Sequence, residues 1–219
     1  SIKKQLEEAN YILISIPPIE GRDIVANYLD KNLINIKNCK WITYLSATSV
    51  YGDHKGGWVN ENSITKPTSS NGLSRLAAEN TWRELSIKNE YPLQIFRLAG
   101  IYSNEFNILR RLQAGSAQIV DKKDHFFSRI HIEDIASILF KSLYNFKINE
   151  IYNICDDMPA SQIEVATYGA KLLKMNQPNL VTLEEVESEM LKNFYKDSKK
   201  VDNKKMKSFF NYNLKYPTY

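Results

Sequence analysis

The chain has 219 residues, 43% hydrophobic and 25% charged, with a formal net charge of +4, an ordinary soluble globular composition for one domain or one domain with a small lobe. That modest charge, spread along the chain, offers no footprint for nucleic acid or an anionic membrane. The apolar stretch in SIKKQLEEANYILISIPP is short and stops at Pro17 and Pro18, which suits neither a membrane span nor a secretory signal. Two distant cysteines, Cys39 and Cys155, give no disulfide framework and no CxxC pair, so a reducing cytoplasm is the expected compartment.

In chain order, residues 2–9 are polar and helix-forming, and Tyr11–Ile16 (YILISI) reads as a strand buried on both faces and ended by Pro-Pro. Ile24, Tyr28, Leu29 and Leu33 recur at helical spacing, and Trp41–Leu45 is a second strand. A long helical pattern over Ser69–Ile87 precedes the strand Leu93–Leu98, and another over Glu133–Tyr144 precedes Glu150–Ile154. Strands alternating with helices of this length predict an α/β fold with a parallel sheet covered on both faces. Beyond Asp156 the pattern becomes helical. Ser161–Glu164 and Thr182–Glu185 have capping-box spacing, each expected to open a helix, and Asp202 is placed to cap a third, Lys-rich one. The run KDSKKVDNKKMK reads as a solvated helix face, with a basic interaction module as the weaker alternative.

Six segments, SIPP at 15–18, YLSATSVYGD at 44–53, RLAGIY at 97–102, SRIHIEDIA at 128–136, IYNICDD at 151–157 and the terminal YPTY, together resemble the NAD(P)-dependent epimerase/dehydratase group of extended or atypical short-chain dehydrogenases, over essentially the whole chain. The resemblance implies a Rossmann-type parallel sheet with a small C-terminal helical lobe, NAD or NADP across the strand ends, and a nucleotide-linked sugar or other small polar substrate under the lobe. It implies a core at residues 1–103 and 127–157 and a substrate-side lobe at 104–126 and 158–219. Ser15, Pro17, Arg75, Leu98, Ala99 and Gly100 then fall beside the cofactor, and Asn107, Arg129 and His131 beside the substrate. Arg110 is a further candidate for the pocket wall.

Two departures qualify this. No GxGxxG follows an early strand, so the turn that cradles a pyrophosphate at a helix N-terminus is lacking. The chain reads as starting before the family's fourth strand, without N-terminal βαβ units of about 60 to 70 residues. The first strand, central in the family, then becomes an association-prone edge that leaves a homo-oligomer open. The catalytic positions also differ. The family's Ser/Thr falls at Ala47, its Tyr at Asn71 and its Lys at Arg75. An Arg grips a ribose hydroxyl but cannot relay a proton, and an Asn amide does not exchange one at neutral pH. Thr48 and Tyr51 are the nearest replacements, although Ser46 and Thr48 flank Ala47 on the opposite strand face unless the strand end bends. The plainer role for Arg75 is an i, i+4 pair with Glu79, and for Arg97, within IFRLA, a buried ion pair. His54, His125 and His131 lack ligand spacing, so no metal is expected. His131 reads equally as a structural hydrogen bonder, and Asp134 as support for the helix start that follows it. The alternative to an enzyme is a non-catalytic dinucleotide-dependent binding protein.

Overall fold

The computed structural model describes the chain apart from Glu20, Leu33, Lys123 and the side chain of Met190, so the expected apolar position at Leu33 lies outside the described residues. The N-terminal helix α1 (Ile2–Glu8) leads into β1 (Tyr11–Ile14). Asp23 caps α2 (Ile24–Lys31), its carboxylate accepting from the amides of Val25 and Ala26. Then follow β2 (Trp41–Ala47), a single 3-10 turn at Thr48–Tyr51 and the short β3 (Trp58–Val59). Ser69 caps the long α3 (Ser70–Asn89), which precedes the fully buried β4 (Leu93–Leu98) and β5 (Gly100–Tyr102). Beyond these come α4 (Ile108–Gln113), β6 (Ile119–Val120), β7 (Arg129–His131), α5 (Ile132–Ser142) and β8 (Glu150–Ile154). The chain finishes with α6 (Gln162–Leu172), β9 (Leu180–Val181), α7 (Glu189–Phe194), β10 (Lys200–Val201) and α8 (Lys204–Phe210).

The main sheet is parallel in the order β1-β2-β4-β8, with Ile14 opposite Tyr44, Ala47 opposite Leu98 and Leu98 opposite Ile154. Parallel pairing aligns all the strand C-termini along one rim, which is where open α/β sheets place their ligands. Of the expected buried strand at Tyr11–Ile16 only Tyr11–Ile14 forms. It sits at the sheet edge with Tyr11 57% and Leu13 47% exposed, because it pairs with β2 alone.

Two apolar layers cover the sheet. On one side α2 and α3 bring Leu29, Trp82 and Leu85 against Ile42, Tyr44 and Ile95. On the other, Phe96, Tyr152 and Ile154 meet Ile135 and Ile138 of α5 and Met206 and Phe210 of α8. The sequence reading put α8 with the lobe, yet its apolar side fills the sheet core. A smaller cluster of Val120, Val186 and Tyr195 with Phe127 and Leu191 holds the lobe segments together.

The caps divide in an instructive way. At Ser161 both capping-box hydrogen bonds form and open α6. The same reciprocal pair forms between Thr182 and Glu185 but closes only a turn, not the expected helix. Helix α7, capped by Ser188, begins later and was not anticipated. Asp202 Oδ1 accepts from the Lys204 amide, but the N-cap position of α8 falls on Asn203, one residue later than expected.

Candidate functional site

The 3-10 turn after Ala47 bends the chain away from strand geometry at the residues expected to carry chemistry. Gly52 ends that turn at φ 68°, where a Cβ would lie 2.0 Å from the Lys66 carbonyl oxygen. A Cβ on Gly72 would meet the Ser49 carbonyl oxygen at 2.7 Å, so the glycine lets the start of α3 press against the turn. Ala47 and Thr48 are half-buried here and Asn71 is exposed.

Tyr51 is not the acid the sequence offered. It is 0% exposed, its hydroxyl donates to Asn153 Oδ1 at 2.7 Å, and the Arg97 guanidinium lies 4.8 Å from its ring centroid. Burial, set against the Arg97 charge, pushes the phenol up to about 12. A proton held there is out of reach of any ligand. Arg97 donates from Nε to Glu79 Oε1 at 3.0 Å and from Nη2 to Oε2 at 2.7 Å, a bidentate pair within the core. Burial would discharge this guanidinium, but the Glu79 carboxylate outweighs it and holds the Arg97 pKa above its ordinary value. The ion-pair reading of Arg97 is therefore the observed one, and Glu79 is engaged there rather than with Arg75.

Arg75 donates from Nη1 to the Leu45 carbonyl oxygen at 2.7 Å and lies 3.4 Å from the Tyr44 hydroxyl. It fastens α3 to the end of β2 and keeps a buried Nε without a partner. The Ser46 and Ser49 hydroxyls nearby are likewise buried and unpartnered among the described residues. Ser15 and Pro17 are exposed just beyond β1, whereas Leu98 and Ala99 are buried at the end of β4. The Ala99 and Gly100 amides bond the Ile154 and Ser128 carbonyls, so these residues face a dinucleotide with little free polarity.

A cleft of ≈ 850 Å³ opens beside the strand C-termini, lined by Gly100, Asn107, Arg129 and His131 among the expected residues. Asn107 caps α4, its Oδ1 accepting from the Arg110 amide, and its Nδ2 donates to the carbonyls of Ser103 and Asn104. Arg129 Nη1 donates to Phe127 O and Ala160 O and its Nη2 to Gln162 Oε1, while burial lowers its pKa. His131 caps α5, with Nδ1 accepting from the Glu133 amide, and stacks on Tyr216 at 3.7 Å. Arg110 is not a wall residue. It is exposed, 3.9 Å from Glu105, and one step along the helix Arg111 takes the place in the cleft. Sequence reasoning missed the aromatic wall of Phe106, Tyr168, Phe194 and Tyr219 because those residues come from four separate segments with no shared spacing. Asp134 lies in the first turn of α5, where a carboxylate favours the helix start as expected, and it does more. Its carboxylate accepts from the Tyr212 hydroxyl and the amides of Lys215 and Tyr216, pinning the C-terminal segment against the cleft.

A second cleft of ≈ 780 Å³, lined by Trp58, Asp157, Lys207 and Asn211, includes none of the expected site residues. Among the described residues no group of three or more His, Cys, Asp or Glu is arranged to hold a metal, and no helix is long and apolar enough to cross a membrane.

A solved structure from Silicibacter pomeroyi, of a conserved protein of unknown function, is 36% identical, matches 97% of this chain and 75% of its own, and superposes with a TM-score of 0.89. The chain belongs to that protein's family, with the epimerase/dehydratase fold. UDP-glucuronic acid 4-epimerase from Bacillus cereus, solved with NAD, is 16% identical over 99% of this chain and 72% of its own, with a TM-score of 0.76. dTDP-glucose 4,6-dehydratase from Bacillus anthracis, also with NAD, is 16% identical over 95% and 68%, with a TM-score of 0.75. No protein-family model and no curated protein sequence matches the chain. The Rossmann-type expectation thus holds at the level of the fold.

Proposed function

We propose that this chain forms the substrate-side part of an NAD(P)-dependent protein of the epimerase/dehydratase type, which takes a small molecule into the ≈ 850 Å³ cleft at the strand C-termini. The position of that cleft carries the reading. Its walls come from β5, β7, α4, α6 and the C-terminal residues, segments that the fold brings to one rim. The division into a core at 1–103 and 127–157 and a lobe at 104–126 and 158–219 belongs to the same proposal, except that α8 packs with the core. Its compartment is a reducing cytoplasm, in keeping with free, buried Cys39 and Cys155.

The described residues fit one half of the dinucleotide. Ser15 and Pro17 beyond β1 and Leu98–Gly100 at the end of β4 would flank the nicotinamide and its ribose. The N-terminus of α2 does not suit the pyrophosphate half, since the Asp23 carboxylate closes it and repels a phosphate. When bound, the dinucleotide supplies hydride transfer. The chain's own residues position ligand and exclude water, and Ala47, Asn71 and Arg75 are not a phenol–amine pair that could move a proton.

The resemblance sets Ala47, Asn71 and Arg75 in the relay positions. With NAD(P) and UDP-glucuronic acid, reduction of the nicotinamide should run slower than in relay-bearing relatives by the ~10²–10⁴ that one general acid/base supplies. Turnover at an ordinary rate would sink this part of the reading. A second reading, non-catalytic ligand binding on the same fold, is favoured by two observations: Tyr51 is sealed in the core and Arg75 is tied to Leu45 O. Tight dinucleotide binding with no turnover of any small substrate separates it from the first.

A further inference from the structure

We infer that the second cleft, of ≈ 780 Å³, binds a neutral polyhydroxylated ring, a mono- or disaccharide, seated on the face of Trp58. This cleft shares no lining residue with the ≈ 850 Å³ one, so its ligand does not depend on the function proposed above. Its volume is within the range of small-molecule sites. Trp58, in the two-residue strand β3, is 61% exposed, whereas the other two tryptophans, Trp41 and Trp82, are buried. An indole face left open in a concave wall is a platform for another flat, partly apolar surface, and the C–H face of a pyranose is one.

Charge selects against an ion of either sign. Lys207 Nζ donates to both carboxylate oxygens of Asp157 at 2.9 Å, and Lys204 Nζ lies 3.3 Å from Asp202 Oδ2. The third carboxylate of the wall, Asp156, is 1% exposed and within the field of Arg129. A charged ligand of either sign therefore meets a like charge here, while the opposite charge already has a partner. The groups left open are neutral. Ser208, Asn211 and Asn213 are exposed along the end of α8 and the residues after it, and a hydroxyl or side-chain amide both donates and accepts. Asp156 Oδ2 adds an acceptor without a partner among the described residues. Vicinal sugar hydroxyls, each a donor and an acceptor, match such a set.

The test follows tryptophan emission of the 219-residue chain, in which Trp58 is the exposed indole, during titration with methyl β-D-glucopyranoside, methyl β-D-galactopyranoside and maltose. Glucuronate and glucosamine serve as charged controls. At least one neutral saccharide should move the emission to shorter wavelength, saturate in the millimolar range and shift the amide signals of Asn211 and Asn213. Asn213→Ala, at an exposed position, should weaken it about three- to tenfold by removing one neutral hydrogen-bonding group. Trp58→Ala, followed by amide shifts, should weaken it about tenfold or more by removing the platform. No response to any of the three saccharides at tens of millimolar overturns the inference. So does a response that ignores both substitutions, or amide shifts gathered at Arg111 and Tyr168, which would seat the sugar in the other cleft. Tighter binding of glucuronate or glucosamine at Trp58 would overturn the neutral ligand class.

Discussion

Arg97 and Glu79 tie β4 to α3 through two hydrogen bonds inside the core, and their burial sets the cost of breaking them. Glu79→Gln should lose roughly 3 to 5 kcal/mol, because it leaves an uncompensated guanidinium beside Tyr51, and urea unfolding measures it. That Arg97 needed a partner was legible from its place in IFRLA. Which partner was not, since Glu79 lies on another element and the helix rule pointed it at Arg75. Arg75→Ala should lower the unfolding free energy by about 1 to 3 kcal/mol, since it strips the Leu45 carbonyl of its donor. An unchanged urea midpoint would show that this bond contributes nothing. Asp156, 1% exposed with Oδ2 unpartnered, is raised to about 7 by burial, which outweighs the bond from the Met158 amide and the Arg129 charge. Its folded pKa lies above its unfolded one, so the stability it contributes is complete below the unfolded value and is lost as pH rises through about 7. Buried His125, lowered to about 4, acts in the opposite sense on the acid side. Comparing melting temperatures at about pH 5 and about pH 8 should therefore show a smaller drop in Asp156→Asn than in the parent chain. Equal drops would contradict the shift.

At the scale of elements, the strands Leu93–Leu98 and Glu150–Ile154 were readable to the residue, since each is a short, mainly apolar segment following a helical pattern. The caps were less reliable guides. Ser161 and Thr182 make the same local hydrogen bonds, but α6 packs Val165 and Ala166 into the core, whereas the turn after Thr182 buries Val186 alone in its run to Glu187 and has no face to extend. A cap satisfies amides, and packing decides whether a helix follows. Helix α8 makes the converse point. Its Lys-rich sequence looked like a solvated face, yet Met206 and Phe210 sit at 0% exposure between Phe96 and Tyr152. Phe210→Ala should thus cost about 3 to 5 kcal/mol, as in other aromatic core truncations, and chemical denaturation checks it. A loss under 1 kcal/mol would return α8 to the periphery.

Over the whole molecule, alternation of strands and helices was enough to infer a parallel sheet, and the segment order was enough for the family. The cleft was not legible, because its aromatic wall is assembled from Phe106 before α4, Tyr168 within α6, Phe194 at the end of α7 and Tyr216 and Tyr219 near the C-terminus. The sheet also ends at β1, where Tyr11 and Leu13 present apolar side chains beside one unpaired strand edge. Leu13→Lys should reduce self-association in sedimentation while leaving the melting temperature within about 2 to 4 °C, the shift expected of roughly 1 kcal/mol in a chain of this size. The account turns on the C-terminal strand rim being the ligand-bearing edge, with a place for the nicotinamide half of a dinucleotide and none for its pyrophosphate at the N-terminus of α2. Amide chemical-shift mapping of the 219-residue chain with NAD tests that directly. The account predicts millimolar affinity, with shifts gathered at Ser15, Ala47, Thr48, Ala99 and Gly100. Micromolar affinity, or shifts gathered around Trp58, Lys207 and Asn211 instead, would contradict it.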